Sequence, residues 1–333
     1  MANPDLLLDP GVLSDDPVLE LYGWKAVEGR GGLAVLPRRD DWLQALTGGI
    51  EAVGLPDRVA EGAFSQAVVH LQKGRAATQE GLSTAWKNLI PGGRLLLVGG
   101  NELGIKSAVK RLAVDLGQKE TLLVNRARSR VAGFDRTEHT GPDSPEAAVV
   151  EIESGGEAFT LQSAVGVFSA DRVDRGTRLL LEHLDQAEPP TRILDMGCGI
   201  GVLGLAALRR WSEATAVLAD VDRRAVEAAT RNAAGLGLSE RCHTAWWDAT
   251  QEKPPAADCE LVLINPPFHT GKGVDLDPAR AMFRSLDQVL APGGAAFIVA
   301  NRTLPYEQQL GAIGRIRMIC DDAGFKLLEV RRR

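Results

Sequence analysis

The sequence predicts an α/β protein of two tandem, doubly wound units, and three observations predict it. From Arg192 onward, β-rich apolar runs alternate with helix-forming runs across short loops, the pattern of a parallel sheet with helices on both faces. The order strand, helix, Pro-Gly-Gly, strand, helix occurs twice, around Pro91-Gly92-Gly93 and around Pro292-Gly293-Gly294, which predicts an internal duplication. A length of 333 residues is comfortable for two domains and long for one. The expected division is 1–147 and 148–333.

Composition narrows the class. Charged residues make up 25% and hydrophobic residues 44%, so disordered and fibrous classes are excluded. The N-terminus has no basic region followed by an apolar run, and no apolar run approaches membrane-spanning length; a cytoplasmic protein without a membrane partner is expected. Cys198, Cys242, Cys259 and Cys320 lack metal-type spacing, so reduced, mostly buried thiols and no metal site are expected. A monomer is the default. The net charge of -6 argues weakly against a nucleic-acid partner, but between Lys73 and Arg130 eleven Lys/Arg stand against four acids. That stretch reads either as a solvated basic face or as a docking surface for RNA, with Lys73, Arg75, Lys106, Lys110 and Lys119 as candidate contacts.

The elements follow in order. Before Val59 the glycines and prolines of Asp9-Pro10-Gly11, residues 29–32 and Thr47-Gly48-Gly49 predict short elements joined by turns. Residues 67–71 read as a buried strand, 78–89 as a helix, 94–99 as a strand and 105–116 as a helix. Residues 133–147, with Gly141-Pro142-Asp143-Ser144-Pro145, are the linker candidate. Residues 149–153 and 157–161 flank Ser154-Gly155-Gly156, a hairpin signal. A helix that Asp174 can cap carries Leu179, Leu180, Leu181 and Leu184. Strands are then expected at 191–194, 214–219, 241–247, 259–264 and 295–299, with helices at 202–211, 223–234 and 279–290 between them.

Two stretches of the second half carry chemistry. Asp195-Met196-Gly197-Cys198-Gly199-Ile200-Gly201 joins a strand to a helix, and glycines there let backbone amides approach a ligand at a helix N-terminus. A second frame, Gly199 to Gly204 with Asp220 about twenty residues on, also satisfies the dinucleotide fingerprint, so the loop alone leaves a nicotinamide cofactor and S-adenosylmethionine both open. Two features favour S-adenosylmethionine. Asp195 would repel a pyrophosphate but can organise an ammonium, and Asn265-Pro266-Pro267-Phe268 supplies a site that hydride transfer does not need. Asp220, at a strand end, can accept from both ribose hydroxyls; Asp248 can accept from the adenine amine, with Trp247 or a neighbour against the ring or in the core. The Asn265 side-chain oxygen and the Pro266 carbonyl can hold both hydrogens of a base amine and aim its lone pair at a sulfonium methyl. Pro266 and Pro267 stiffen that turn. Phe268 can stack on a flipped base, and His269 either lines the pocket or caps the turn. The first half has neither stretch.

With these residues the second half resembles the class I S-adenosylmethionine-dependent methyltransferases, which are Rossmann-like. Adding Gly166-Val167-Phe168-Ser169, Asp174-Arg175-Gly176-Thr177 and the run Asn265 to Gly271, the whole chain resembles the ribosomal RNA guanine-N2 methyltransferases of the small-subunit methyltransferase C type. The resemblance implies a catalytic second domain that binds S-adenosylmethionine and a degenerate first domain that helps to bind RNA. It places Asp195, Gly197, Gly199 and Gly201 in the cofactor loop, Asp220 at the ribose and Asp248 near adenine. It puts Phe168 and Asp174 at the methionine end, and Asn265, Pro266, Pro267 and Phe268 around the guanine. The expected reaction is methylation of a guanine N2 amine in ribosomal RNA or a ribosomal subunit. The alternatives are a DNA adenine, a protein glutamine, a non-catalytic RNA-binding or assembly role, and a nicotinamide oxidoreductase.

Overall fold

The structure, a computed structural model, describes residues 3–56, 59, 61–138, 141–167, 173–266, 277–322 and 324–333. The chain forms two compact units, Met1–Glu146 and Ala147–Arg333.

The first unit contains β1 (Val18–Leu21), β2 (Gly32–Val35), α1 (Arg39–Thr47), β3 (Ala52–Val53), β4 (Phe64–His70), α2 (Arg75–Asn88), β5 (Leu89–Gly100), α3 (Ile105–Asp115), β6 (Thr121–Arg126) and β7 (Ser129–Asp135). Its sheet runs β3-β2-β1-β4-β5-β7-β6. The second unit opens with a hairpin, β8 (Val149–Ser154) and β9 (Glu157–Gln162), and α4 (Arg175–Glu182). Then come β10 (Arg192–Met196), α5 (Val202–Arg210), β11 (Thr215–Asp220), α6 (Arg223–Gly235), β12 (Cys242–Trp246), β13 (Cys259–Ile264), α7 (Asp277–Val289), β14 (Leu290–Asn301), α8 (Glu307–Leu310), β15 (Gly314–Asp322) and β16 (Phe325–Arg332). Its sheet runs β12-β11-β10-β13-β14-β16-β15, the same order counted from its own first strand.

The duplication extends to register. Val18 pairs with Gln66 and Gln66 with Arg94, while Ile193 pairs with Leu261 and Leu261 with Ala295; Arg94 and Ala295 each follow a Pro-Gly-Gly. The pairing slips at matching places, between Phe64 and Gln66 and between Cys259 and Leu261. Glu20 and Asp195 therefore occupy one register position, and so do His70 and Asn265. In the first unit no helix separates β1 from β2, so the counterpart of α5 is missing. Glu20 is fully buried, accepts from the amides of Ala26 (2.6 Å) and Val27 (3.1 Å), and its other oxygen lies 2.6 Å from His70 Nε2. Even a methyl group on Gly23 would meet His70 at 2.4 Å. The acid that faces a loop of glycines in one unit is folded onto its own chain in the other, and the space beside it is filled.

Three expectations need correction. The second sheet is mixed: β16 runs antiparallel to β14, and β15 antiparallel to β16. Only two residues separate β15 from β16, too few for the crossover that a parallel pair requires. The linker begins later than position 133, because Gly133, Phe134 and Asp135 pair with Leu96, Leu95 and Arg94 inside β7. The helix after the second Pro-Gly-Gly strand is also short, four residues in α8 against eleven in α3.

The catalytic candidate region sits on a rigid base. Alternate residues of β10 face opposite layers: Ile193 joins Phe297, Leu205 and Leu180 on one face, and Leu194 joins Phe283, Ile264 and Ile298 on the other. Each fully buried Phe or Leu contributes about 1.5–3 kcal/mol over its exposed state. The hairpin turns on Gly155 and Gly156, both at positive φ (62° and 81°), as a tight two-residue turn requires. It is tied to α6 and to the glycine loop by buried Asn232, which accepts from the Gln162 amide (2.8 Å) and donates to the carbonyls of Gln162 and Ile200 (3.0 Å each).

Candidate active site

The candidate site lies at the carboxyl ends of β10, β11 and β13, where ligands bind in open α/β sheets. Met196 pairs with both Ala219 and Ile264, so Gly197, Asp220 and Asn265 leave the three neighbouring strands at one level. The loop after β10 turns back at once. The amides of Gly197 and Cys198 donate to the Ala219 carbonyl (2.8 and 3.0 Å), and the Gly199 amide donates to Asp220 Oδ2 (2.9 Å). Gly197, Gly199 and Gly201 have φ of 75°, 55° and 93°, which residues with a Cβ rarely adopt. Around Gly199 a Cβ would meet nothing within 4 Å, so this glycine faces open space; at Gly201 it would meet Leu205 at 2.9 Å.

Among the buried side-chain oxygens that have no hydrogen-bond partner among the described residues, two belong to predicted site residues. Asp195 is 1% exposed; its Oδ2 accepts from the Gly204 amide (2.8 Å) and its Oδ1 has no partner. Burial pushes its carboxyl up to about 7, the Asp220 charge adds to the rise, and the Gly204 amide works against it. Asn265 Oδ1 is the other. The Asn265 amide nitrogen lies 3.1 and 3.2 Å from the two oxygens of Asp174 and 2.8 Å from Thr177 Oγ1. An unsatisfied buried acceptor costs about 1–3 kcal/mol, so both positions suit donors from outside the chain.

The remaining candidates divide. Asp220 accepts from the amides of Gly199 and Asp222 (2.9 Å each), which fixes its carboxylate at the end of β11. Asp222 caps α6, accepting from the Arg224 amide. Asp174 caps α4 through the amides of Gly176 (2.9 Å) and Thr177 (3.2 Å), and it also holds Asn265, a contact the sequence did not disclose. Asp248 is buried and its carboxylate takes hydrogen bonds from the Thr250 amide and hydroxyl (2.8 Å each) and from Gln251 Nε2 (2.6 Å). These bonds fold the loop after β12 around Asp248. Trp247 packs in the core beneath β10, while Trp246 is half-buried beside Val221. Pro266 is buried. Phe168, Pro267, Phe268 and His269 lie outside the described residues.

Three of the cysteines are buried and all four are free thiols; burial raises Cys198 well above the ordinary thiol range, so it is an inert packing group. Among the described residues no cluster could hold a metal ion and no helix is long and apolar enough to cross a membrane. In the first unit Lys73, Arg75 and Arg111 line one cleft of about 90 Å³ between α2 and α3, and Lys106 and Lys110 lie on the exposed face of α3. Lys119 is exposed beyond α3 and does not line that cleft. Arg94 and Arg126 pair with Asp135 and Asp9, acids outside the basic stretch, which reduces its excess.

Comparison with known proteins agrees with this geometry. The Methyltransferase small domain family matches residues 158–329. Ribosomal RNA small subunit methyltransferase C of Pseudomonas putida (strain W619) is 34% identical over 286 residues, 81% of this chain and 80% of that protein. Its counterpart in Pseudomonas aeruginosa (strain LESB58) is 35% identical over 83% of this chain and 81% of that protein. The chain belongs to the ribosomal RNA small subunit methyltransferase C family. A solved member, the T. thermophilus 16S rRNA N2 G1207 methyltransferase in complex with AdoMet and guanosine, superposes with a TM-score of 0.88 at 28% identity, covering 99% of this chain and 91% of that one. The family's two-unit α/β architecture is therefore present along nearly the whole chain.

Proposed function

We propose that this protein methylates the exocyclic N2 amine of a guanine in small-subunit ribosomal RNA, using S-adenosylmethionine. The observation that carries the proposal is Asn265 Oδ1, a buried acceptor without a partner among the described residues, at the end of β13 and level with the glycine loop. The guanine N2 amine is a donor of two hydrogens, and its lone pair is conjugated into the ring. Accepting one hydrogen at Asn265 Oδ1 orients the amine and draws its lone pair out of conjugation. The family relationship and the guanosine bound by the T. thermophilus relative support guanine as the base.

The residues present fit S-adenosylmethionine. The open face at Gly199, the unpartnered oxygen of Asp195 and the carboxylate of Asp220 form a cradle for a nucleoside that carries an ammonium. Gly197, Gly199 and Gly201 would surround the cofactor, Asp195 would organise its cationic end and Asp220 would accept from its ribose. When bound, S-adenosylmethionine supplies a methyl group made electrophilic by a sulfonium, with a neutral thioether as leaving group. Asn265 and the Pro266 carbonyl hold the amine, Pro267 stiffens the turn and Phe268 stacks on the base. No side chain need take the amine proton before the methyl moves, because the product ammonium releases it to water. Asp248 shapes the adenine side of the pocket through its own loop. The first unit offers Lys73, Arg75, Lys106, Lys110 and Lys119 to RNA phosphates, and the protein acts as a monomer in the cytoplasm. Incubation with S-adenosylmethionine and small-subunit RNA, followed by nucleoside analysis, should yield N2-methylguanosine. N6-methyladenosine, or label only in protein, would overturn the proposal.

A further inference from the structure

A side-chain amide has nearly the same shape in its two orientations, so an asparagine at a reactive site needs something that decides which end faces the acceptor. At Asn265 the decision rests on three atoms. Its nitrogen faces Asp174 Oδ1 (3.1 Å), Asp174 Oδ2 (3.2 Å) and Thr177 Oγ1 (2.8 Å). A carboxylate can only accept. The Thr177 hydroxyl donates its single hydrogen to Asp174 Oδ2 at 2.5 Å, so towards Asn265 it too can only accept. Turning the amide over would set its oxygen against three acceptors in a half-buried setting and give up the hydrogen bonds of both amide hydrogens, to the Asp174 carboxylate and to Thr177 Oγ1.

Asp174 is itself fixed. Its Oδ1 accepts from the amides of Gly176 and Thr177 at the start of α4, so the carboxylate is anchored by the helix it caps. Gly176 completes the device by leaving room. A Cβ there would stand 3.0 Å from Asn265 Oδ1 and 2.9 Å from Val299 Cγ1, crowding the one oxygen that must meet the substrate amine. We infer that Asp174 and Thr177 are positioning residues of the methyl transfer, locking Asn265 with its oxygen towards the substrate amine, and that Gly176 keeps the space in which that oxygen works. The inference rests on the reading of Asn265 as the acceptor for the guanine amine. It moves Asp174 from the methionine end of the cofactor to the substrate side of the site.

The test compares Asp174→Asn, Thr177→Val, Thr177→Ser and Asn265→Ala in steady-state methylation of small-subunit RNA. Cofactor affinity by titration and unfolding midpoints in urea are measured alongside. Asn is as good a helix cap as Asp, so Asp174→Asn keeps α4. It also places an amide nitrogen where Oδ2 stood, which favours the inverted Asn265. The expected result is a loss of kcat of about 10- to 100-fold, the factor that one lost hydrogen bond to a charged group implies. Cofactor affinity should change less than about threefold, since the interaction lost is made with the substrate. Thr177→Val should lose kcat and Thr177→Ser should restore it. Wild-type turnover of Asp174→Asn beside an inactive Asn265→Ala would overturn the positioning role and leave the function standing. Wild-type turnover of Asn265→Ala would overturn the reading of Asn265 as the acceptor, on which the inference rests. Should Asp174→Asn fail to fold, equal rates for Thr177→Val and Thr177→Ser would overturn the inference on their own.

Discussion

Replacing Asp195 by Asn should stabilise the cofactor-free protein and weaken its hold on the cofactor, and the size of both effects follows from burial. The Asp195 carboxyl is pushed from 3.8 to about 7 in the folded state. A folded pKa above the unfolded one means that the native state binds more protons between those values, so stability falls as pH rises from about 4 to about 7. At ~1.4 kcal/mol for each tenfold step in acidity, ionising Asp195 in its burial site costs an upper limit of about 4 kcal/mol above pH 7. Asn keeps an oxygen for the Gly204 amide, so the variant removes the charge and leaves that hydrogen bond in place. The variant should therefore exceed the wild type by up to about 4 kcal/mol at pH 8, narrowing to roughly half of that near pH 5.5. The losing side is binding. A hydrogen bond to a charged group contributes about 1.5–3 kcal/mol, so affinity for S-adenosylmethionine at pH 8 should fall roughly tenfold to a hundredfold. Urea unfolding at both pH values and a binding titration check the three numbers. A variant no more stable than the wild type at pH 8, or a gap that does not narrow on acidification, would refute the argument from burial.

Other outcomes are expected from single side chains. Asn265→Ala should keep cofactor affinity within a few-fold while turnover falls at least ~100-fold, as measured by single-turnover methylation, because the lost interaction is made mainly in the transition state. Replacing Lys106, Lys110 and Lys119 together should weaken RNA binding and lower the slope of log affinity against log salt by about two to three; an unchanged slope would return α3 to a solvated face. Gly204→Ala tests packing against propensity. In an exposed helix it would gain about 1 kcal/mol, but here the new Cβ stands 2.7 Å from Leu218 Cδ1 and 3.2 Å from Asp195 Oδ2. A net loss of about 1–3 kcal/mol in urea unfolding is expected.

What could be read in the sequence was what periodicity and local signals encode. Helix α6, with Asp222 before it and alanines on its inner face, and strand β13, with its apolar run from Leu261 to Ile264, could be placed nearly to the residue. The repeated Pro-Gly-Gly exposed the duplication because a turn is a local event. The β15–β16 reversal stayed hidden because a strand carries no mark of its partner's direction, and Gly324 alone stood for the turn. In the site, the glycine loop and Asn265 were legible for the same local reason. The bond between Asp174 and Asn265 spans 91 positions, and that to Thr177 spans 88. No spacing rule reaches so far, so the local signal made Asp174 a helix cap, the family resemblance put it at the methionine end of the cofactor, and Thr177 read as part of a helix start. Asp248 shows what local signals leave out: the acid at the strand end was legible, but the hydrogen bonds it takes from Thr250 and Gln251 of its own loop were not.

The most direct test of the account follows the methyl group to the atom that receives it. The protein is given S-adenosylmethionine carrying a heavy-carbon methyl and small-subunit RNA whose guanines carry heavy nitrogen at the exocyclic position, and the digested nucleosides are examined by NMR. The account predicts a methylated guanosine with a one-bond coupling between the heavy carbon and the heavy nitrogen, absent with Asn265→Ala. A methylated nucleoside without that coupling would contradict the assignment of the N2 amine as the acceptor, and label in no nucleoside at all would contradict the account as a whole.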